Sequence, residues 1–260
     1  MIELPPLTFH HSADGPWWKM RATWVYDALL QGRMGSNDAS GDEARLVTLE
    51  SVGTLSLPGG EFVAADPYVM DLDPHPFDQR LGAEQAEVIA GRLIVGEGHE
   101  RVAALVLRAS ASPVCDWAMA TVDGQDIAHL DADGFYGFGV DAGTGSFGNP
   151  GSMRVAARVL HDDGGMLEDP VSEALFADGI GTRSAVLVEP EPGAEPVAAC
   201  STGWGDGVYP TWLGLDAAGV VVVAVTDFLL EVDPHAAPAE PVDEAAPSRS
   251  KSLLKRLLRR

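Results

Sequence analysis

A succession of short apolar runs, each closed by turn-forming residues, is the feature that most narrows the folds open to this chain. The runs cover residues 45–49, 61–65, 101–108, 117–122, 135–140, 155–160, 183–188, 197–200 and 220–225, with glycine, proline, aspartate or serine between them. Strands at this spacing predict a mainly β, antiparallel sandwich or barrel-like fold with a few short helices, and α+β is the alternative. Trp24, Ala28 and Leu29 or Leu30 lie at helical spacing within 21–31. Asp169 followed by Pro170 reads as an N-cap and a first helical position, with Gly179 ending that helix.

The same pattern divides the chain. Residues 1–50 read as a variable N-terminal appendage, irregular over 10–43, and 51–232 as the β-rich domain. Residues 233–249 form a flexible linker rich in Pro, Ala and Glu, and 250–260 a basic amphipathic tail helix. In that tail Leu253, Leu254, Leu257 and Leu258 fall on one helical arc, with Lys251, Lys255, Arg256, Arg259 and Arg260 around them. Each basic residue held near an anionic bilayer contributes about 1 kcal/mol, so the tail suits peripheral membrane contact. Docking on the acidic body or on a partner is the rival reading, and plain disorder a third.

Charge restricts the partners. The chain has 39 acidic and 17 basic residues, a net charge of −22, and six of the basic residues lie in the last twelve positions. Such a body repels nucleic-acid phosphates and attracts cationic proteins or metal ions, although a solubility surface or high-salt adaptation produces the same excess. No apolar run reaches the roughly 18–20 residues that span a bilayer, and the first residues lack a basic and an apolar leader region. Cys115 and Cys200 are the only cysteines and read as two buried free thiols. The expected location is cytoplasmic, with the tail at the inner membrane face.

Three aspartates stand at turn-rich landmarks. Asp206 lies in Thr202-Gly203-Trp204-Gly205-Asp206-Gly207, ahead of Tyr209-Pro210-Thr211-Trp212. Glycines at every second position suit a shaped loop that aims Trp204 and Asp206. Asp216-Ala217-Ala218-Gly219 then reads as the turn of a hairpin between 209–215 and 220–230, with glycine left-handed. Asp66 precedes Pro67, and Asp141 precedes Ala142-Gly143. Convergence of Asp66, Asp141 and Asp206 on one pocket walled by Trp204 and Tyr209 would suit a cationic ligand group, a divalent cation or acid/base work. The simpler reading is that each aspartate caps a turn through nearby backbone N–H groups.

Residues 53–228 resemble the bacterial proteins grouped as domain of unknown function 4241. The likeness rests on Thr202 through Gly207, Tyr209-Pro210 and Gly214-Leu215-Asp216, on Ala64-Ala65-Asp66-Pro67, and on Val140-Asp141-Ala142-Gly143-Thr144-Gly145-Ser146-Phe147. Trp117 and Asp227-Phe228 also fit. The family tends to place an aspartate soon after the phenylalanine of the middle motif; here Gly148-Asn149 follows. The resemblance implies a shared fold and a shared site but carries no established activity.

No complete catalytic set is visible. The histidines lack metal-ligand spacing, and Gly143-Thr144-Gly145-Ser146 lacks the lysine of a phosphate loop. Cys200 and Ser201 have no nearby His-plus-acid pattern, and no cofactor is expected. The sequence therefore favours a non-catalytic binding protein that neutralises a cationic partner such as a toxin domain. The alternative is a hydrolase-like enzyme with an aspartate-lined pocket, with or without a metal.

Overall fold

The computed structural model describes residues 2–8, 15–34, 45–96, 99–162, 169–177, 179 and 181–230. Its elements in chain order are α1 (Trp17–Gln31), β1 (Arg33–Met34), β2 (Arg45–Ser56), β3 (Val63–Ala65), β4 (Gln85–Gly96), β5 (His99–Arg108), β6 (Asp116–Met119), β7 (Phe138–Val140) and β8 (Thr144–Gly148). They continue with α2 (Pro150–Asp162), α3 (Pro170–Leu175), β9 (Ala185–Val188), β10 (Val197–Ser201), β11 (Gly207–Tyr209), β12 (Thr211–Leu215) and β13 (Val221–Asp227).

Two antiparallel sheets pack face to face. The larger has the order β1-β2-β4-β5-β13-β12-β6, the smaller β3-β8-β10-β9, and a two-stranded ribbon joins β11 to β7. Between the sheets lie Leu55, Val88, Leu105 and Leu107 from the large sheet, against Phe147, Ala198 and Cys200 from the small one. Helix α1 covers the opposite face of the large sheet, where Trp18, Val25, Tyr26 and Leu29 meet Leu93, Val106, Trp117 and Trp212. The outer face of the small sheet is closed by α2 through Met153 and Ala156, and by α3 through Val171 and Leu175. The result is a four-layer α/β/β/α arrangement, the mainly β architecture expected from the run spacing.

Layering explains the strand sequences. β13 is buried at every position, because α1 covers one face and the small sheet the other. A strand covered on both faces reads as a continuous apolar run rather than an alternating one. β10 still sorts its small side chains by face: Ala198 and Cys200 point between the sheets, Val197 and Ala199 toward the helices.

Several expectations need correction. Residues 1–50 are in part integral rather than an appendage. α1 begins four residues earlier than expected, Leu4 joins its core, and the Tyr26 hydroxyl donates to Pro5 O at 2.8 Å. Its large buried side chains contribute about 1.5–3 kcal/mol each, which ties this segment energetically to the domain. Residues 155–160 are not a strand but the middle of α2. Met153, Ala156 and Ala157 recur at helical spacing and are buried, and Asn149 Oδ1 caps the helix by accepting Ser152 N–H at 2.9 Å. β4 and β8 are additional strands: the Ala and Glu of residues 83–87 read as helix formers, and pairing of β4 with β2 and β5 overrides that propensity. Asp169 caps α3 as expected, but the helix stops at Leu175, short of Gly179. The hairpin of β12 and β13 forms with Gly219 left-handed at φ 79°. Cys200 is buried, whereas Cys115 is part-exposed and accepts a hydrogen bond from the Thr8 hydroxyl at 3.3 Å. No helix among the described residues is long and apolar enough to cross a membrane. The expected linker 233–249 and tail 250–260, with Leu253, Leu254, Leu257, Leu258, Lys255 and Arg256, lie outside the described residues.

Candidate functional site

Asp66 follows the last residue of β3 and is 1% exposed. One carboxylate oxygen accepts the Tyr68 N–H at 3.0 Å. The other accepts the N–H of Asp141 at 3.0 Å and of Ala142 at 2.8 Å. The side chain thus caps its own turn and clamps the loop between β7 and β8. Burial raises its pKa above the ordinary aspartate range, and the backbone N–H donors oppose that shift without cancelling it.

The glycine-rich loop is the crossing from the small sheet to the large one. It leaves β10 at Ser201 and enters the ribbon at Gly207. Gly203 at φ 41° and Gly205 at φ 109° adopt the left-handed backbone that the alternating glycines suggested, while Gly207 is an ordinary strand residue paired with Val140. Thr202 N–H donates to Gly143 O at 3.0 Å, joining this loop to the β7–β8 loop. The hydroxyls of Thr202 and Tyr209 both donate to Gly205 O, at 2.8 and 2.7 Å.

Together the two loops form a ridge with a cavity on either side. The first cavity, about 450 Å³, is lined by Asp66, Asp71, Asp141, Val69, Met70 and Phe138, and reaches Gly207. The second, about 390 Å³, lies beyond Ala142 and Gly143 and reaches Gly205.

The five expected site residues are therefore adjacent but do not share one cleft. Asp66 and Asp141 line the first cavity. Asp206 is on the ridge between Gly205 and Gly207 and is exposed there. Trp204, 57% exposed, lies over the Arg101 guanidinium at 4.6 Å from ring centroid to carbon. Tyr209 is not a wall: its ring is buried edge-on against Phe228 at 5.2 Å, and its hydroxyl holds the loop. Among the described residues no group of three His, Cys, Asp or Glu side chains is arranged to hold a metal ion. Burial pushes the Cys200 thiol far above its ordinary range, which keeps it a protonated core residue.

Other polar residues at these cavities carry little signal in the sequence. Asp71 lines the first cavity but stands in no motif. Tyr68 Oη lies 2.6 Å from Ser172 Oγ and donates to the Asp169 carboxylate at 3.0 Å, at the wall of the second cavity. Of these, only the capping pattern of Asp169 is legible. Arg101 reads as the polar end of an apolar strand. Beneath the ridge, Arg21 of α1 makes a buried two-pronged ion pair with Asp227, at 2.7 and 3.0 Å. Asp227 also accepts Leu229 N–H at 2.9 Å, just where the chain leaves β13.

A two-sheet α+β fold with paired cavities about a glycine-rich ridge defines the class of protein. The chain belongs to the family described as "Protein of unknown function (DUF4241)", which matches residues 55–226. No curated protein and no solved structure matches it. Asn149, which follows the middle motif, is the N-cap of α2, where Asn and Asp serve almost equally well. The match begins inside β2, so α1 lies outside it although it completes the core.

Proposed function

We propose that the protein is a non-catalytic recognition module that binds a cationic protein segment across the first cavity and the ridge, neutralising a basic partner such as a toxin domain. One observation carries this reading: Asp71 and Asp141 at the cavity and Asp206 on the ridge are carboxylates with no ion-pair partner among the described residues. In contrast, Asp73 pairs with Arg154, and Glu191 with Arg158. Val69, Met70 and Phe138 supply apolar contact for the methylene stem of a lysine or arginine, whose charged head meets the carboxylates. Asp66, one of the aspartates a hydrolase-like pocket would use, has both oxygens engaged by backbone N–H groups.

Titration with a decalysine peptide tests the proposal. Affinity is expected to fall steeply with salt, and to drop about tenfold in the triple variant Asp71→Asn, Asp141→Asn, Asp206→Asn. Equal affinity of the variant and wild type contradicts the reading, because the whole acidic body would then be responsible.

The unpaired thiols suit a reducing compartment, which supports a cytoplasmic location. The basic tail adds peripheral contact with the inner membrane face. Full-length protein is expected to sediment with phosphatidylserine vesicles but not with phosphatidylcholine vesicles, and a chain ending at residue 249 to remain in the supernatant. Equal sedimentation of both chains removes the tail from the proposal.

A further inference from the structure

Among the described residues, the second cavity is lined by an arginine and by no acidic residue, whereas three aspartates line the first. Arg101 enters it from the start of β5, and the guanidinium has an unusual set of partners. One terminal N–H donates to Gly203 O at 3.0 Å, the Trp204 ring lies over it at 4.6 Å, and Nε is buried with no hydrogen-bond partner. Among the described residues no carboxylate pairs with it, whereas Arg21, Arg80, Arg92, Arg108, Arg154 and Arg158 each have one. Arg92 also has an unpartnered Nε, but its charge is neutralised by Glu50. In a chain with 39 acidic residues, an arginine that lines a cavity and has no carboxylate partner among the described residues is the exception.

The rest of the lining complements it. Tyr68 and Ser172 present a hydroxyl pair, backed by Asp169, whose oxygens are engaged by Tyr68 and by the N–H groups of Val171 and Ser172. Leu175 and Phe176 form an apolar wall, and Phe176 is 59% exposed. A volume of about 390 Å³ is within the range of small-molecule sites.

We propose that this cavity binds a small organic monocarboxylate. The guanidinium takes the carboxylate, the Tyr68–Ser172 pair forms a polar wall, and Leu175 and Phe176 cover the apolar body. Arginine suits this role because its planar fork matches a carboxylate in two parallel hydrogen bonds. A single negative charge is favoured over a phosphate dianion, since the ligand enters the field of a strongly acidic body and lies near Asp169. The site is independent of the cationic recognition proposed for the other side of the ridge.

Titrating the full-length protein with benzoate and hexanoate, with inorganic phosphate as a third arm, tests this by amide chemical-shift mapping. Saturable shifts are expected at Ala142, Gly143, Thr144, Ser201 and Gly205 on addition of the carboxylates, with affinity reduced about tenfold or more in Arg101→Met. If Arg101→Met does not fold, Arg101→Lys is expected to keep the charge but weaken binding, since it loses the two-pronged geometry. No saturable shifts up to about 20 mM carboxylate, a range that includes weak fragment-sized binding, overturn the proposal. So do shifts centred elsewhere, carboxylate affinity unchanged by substitution of Arg101, or phosphate binding tighter than either carboxylate.

Discussion

Asp227→Ala is expected to lower the free energy of unfolding by about 3–5 kcal/mol, because it removes the carboxylate of a two-pronged buried ion pair with Arg21. The two side chains are 3% and 1% exposed. The effect extends beyond the pair. Asp227 also receives Leu229 N–H, and Leu229 is the only non-glycine residue with positive φ among the described residues, at 52°. Arg21 in turn stacks on Trp24 at 4.8 Å, so its fixed position helps to seat α1 on the sheet. Urea denaturation measures the loss. The double variant Arg21→Met, Asp227→Leu is expected to lose much less than Asp227→Ala, since both buried charges are removed together. If the double variant is as unstable as the single one, the loss comes from packing and backbone contacts rather than from the buried charge.

Asp66→Ala is expected to cost about 2–4 kcal/mol, because the N–H groups of Tyr68, Asp141 and Ala142 lose their acceptor in a part-buried setting. Hydrogen exchange is expected to accelerate most at Asp141 and Ala142, where the clamp acts across 75 and 76 residues of sequence. Asp66→Asn separates charge from shape. Folding raises the Asp66 pKa, so the folded state holds its proton more tightly than the unfolded chain. That contribution is fully present below the ordinary aspartate pKa of about 4 and is lost as pH rises through the folded value. The amide of the Asp66→Asn variant does not titrate, so wild type is expected to gain stability relative to it as pH falls from about 7 toward 4. A stability gap that stays constant over this range contradicts the raised pKa.

Both predictions concern aspartates whose type is legible in the sequence and whose purpose is not. Asp-Pro at residue 66 is a turn signal, and Asp66 does cap Tyr68. Its grip on residues 141 and 142 depends on β3 pairing with β8, a neighbour relation that no local pattern encodes. The loop glycines are legible because a positive φ is a local requirement. The stacking of Trp204 on Arg101 is not, because the two residues meet only after β10 and β5 face each other across the sheets. Residues 155–160 mislead as a short apolar run, although the Asn149-Pro150 cap and the spacing of Met153, Ala156 and Ala157 mark a helix.

By itself the sequence determined the antiparallel β-rich architecture, the closing hairpin with its left-handed Gly219, the capped start of α3 and the family. Each follows from local backbone preference, periodic apolar burial or contiguous motifs, which act over a few residues. Only the tertiary structure decided that α1 is a layer of the core and that Tyr209 is a buried prop. It also decided that Asp66 and Asp141 line one cavity, Arg101 another, and Asp206 the ridge between them. Those outcomes depend on which strands become neighbours across long sequence separations. Burial, ion pairing and hydrogen-bond competition settle that choice only when the whole chain is packed.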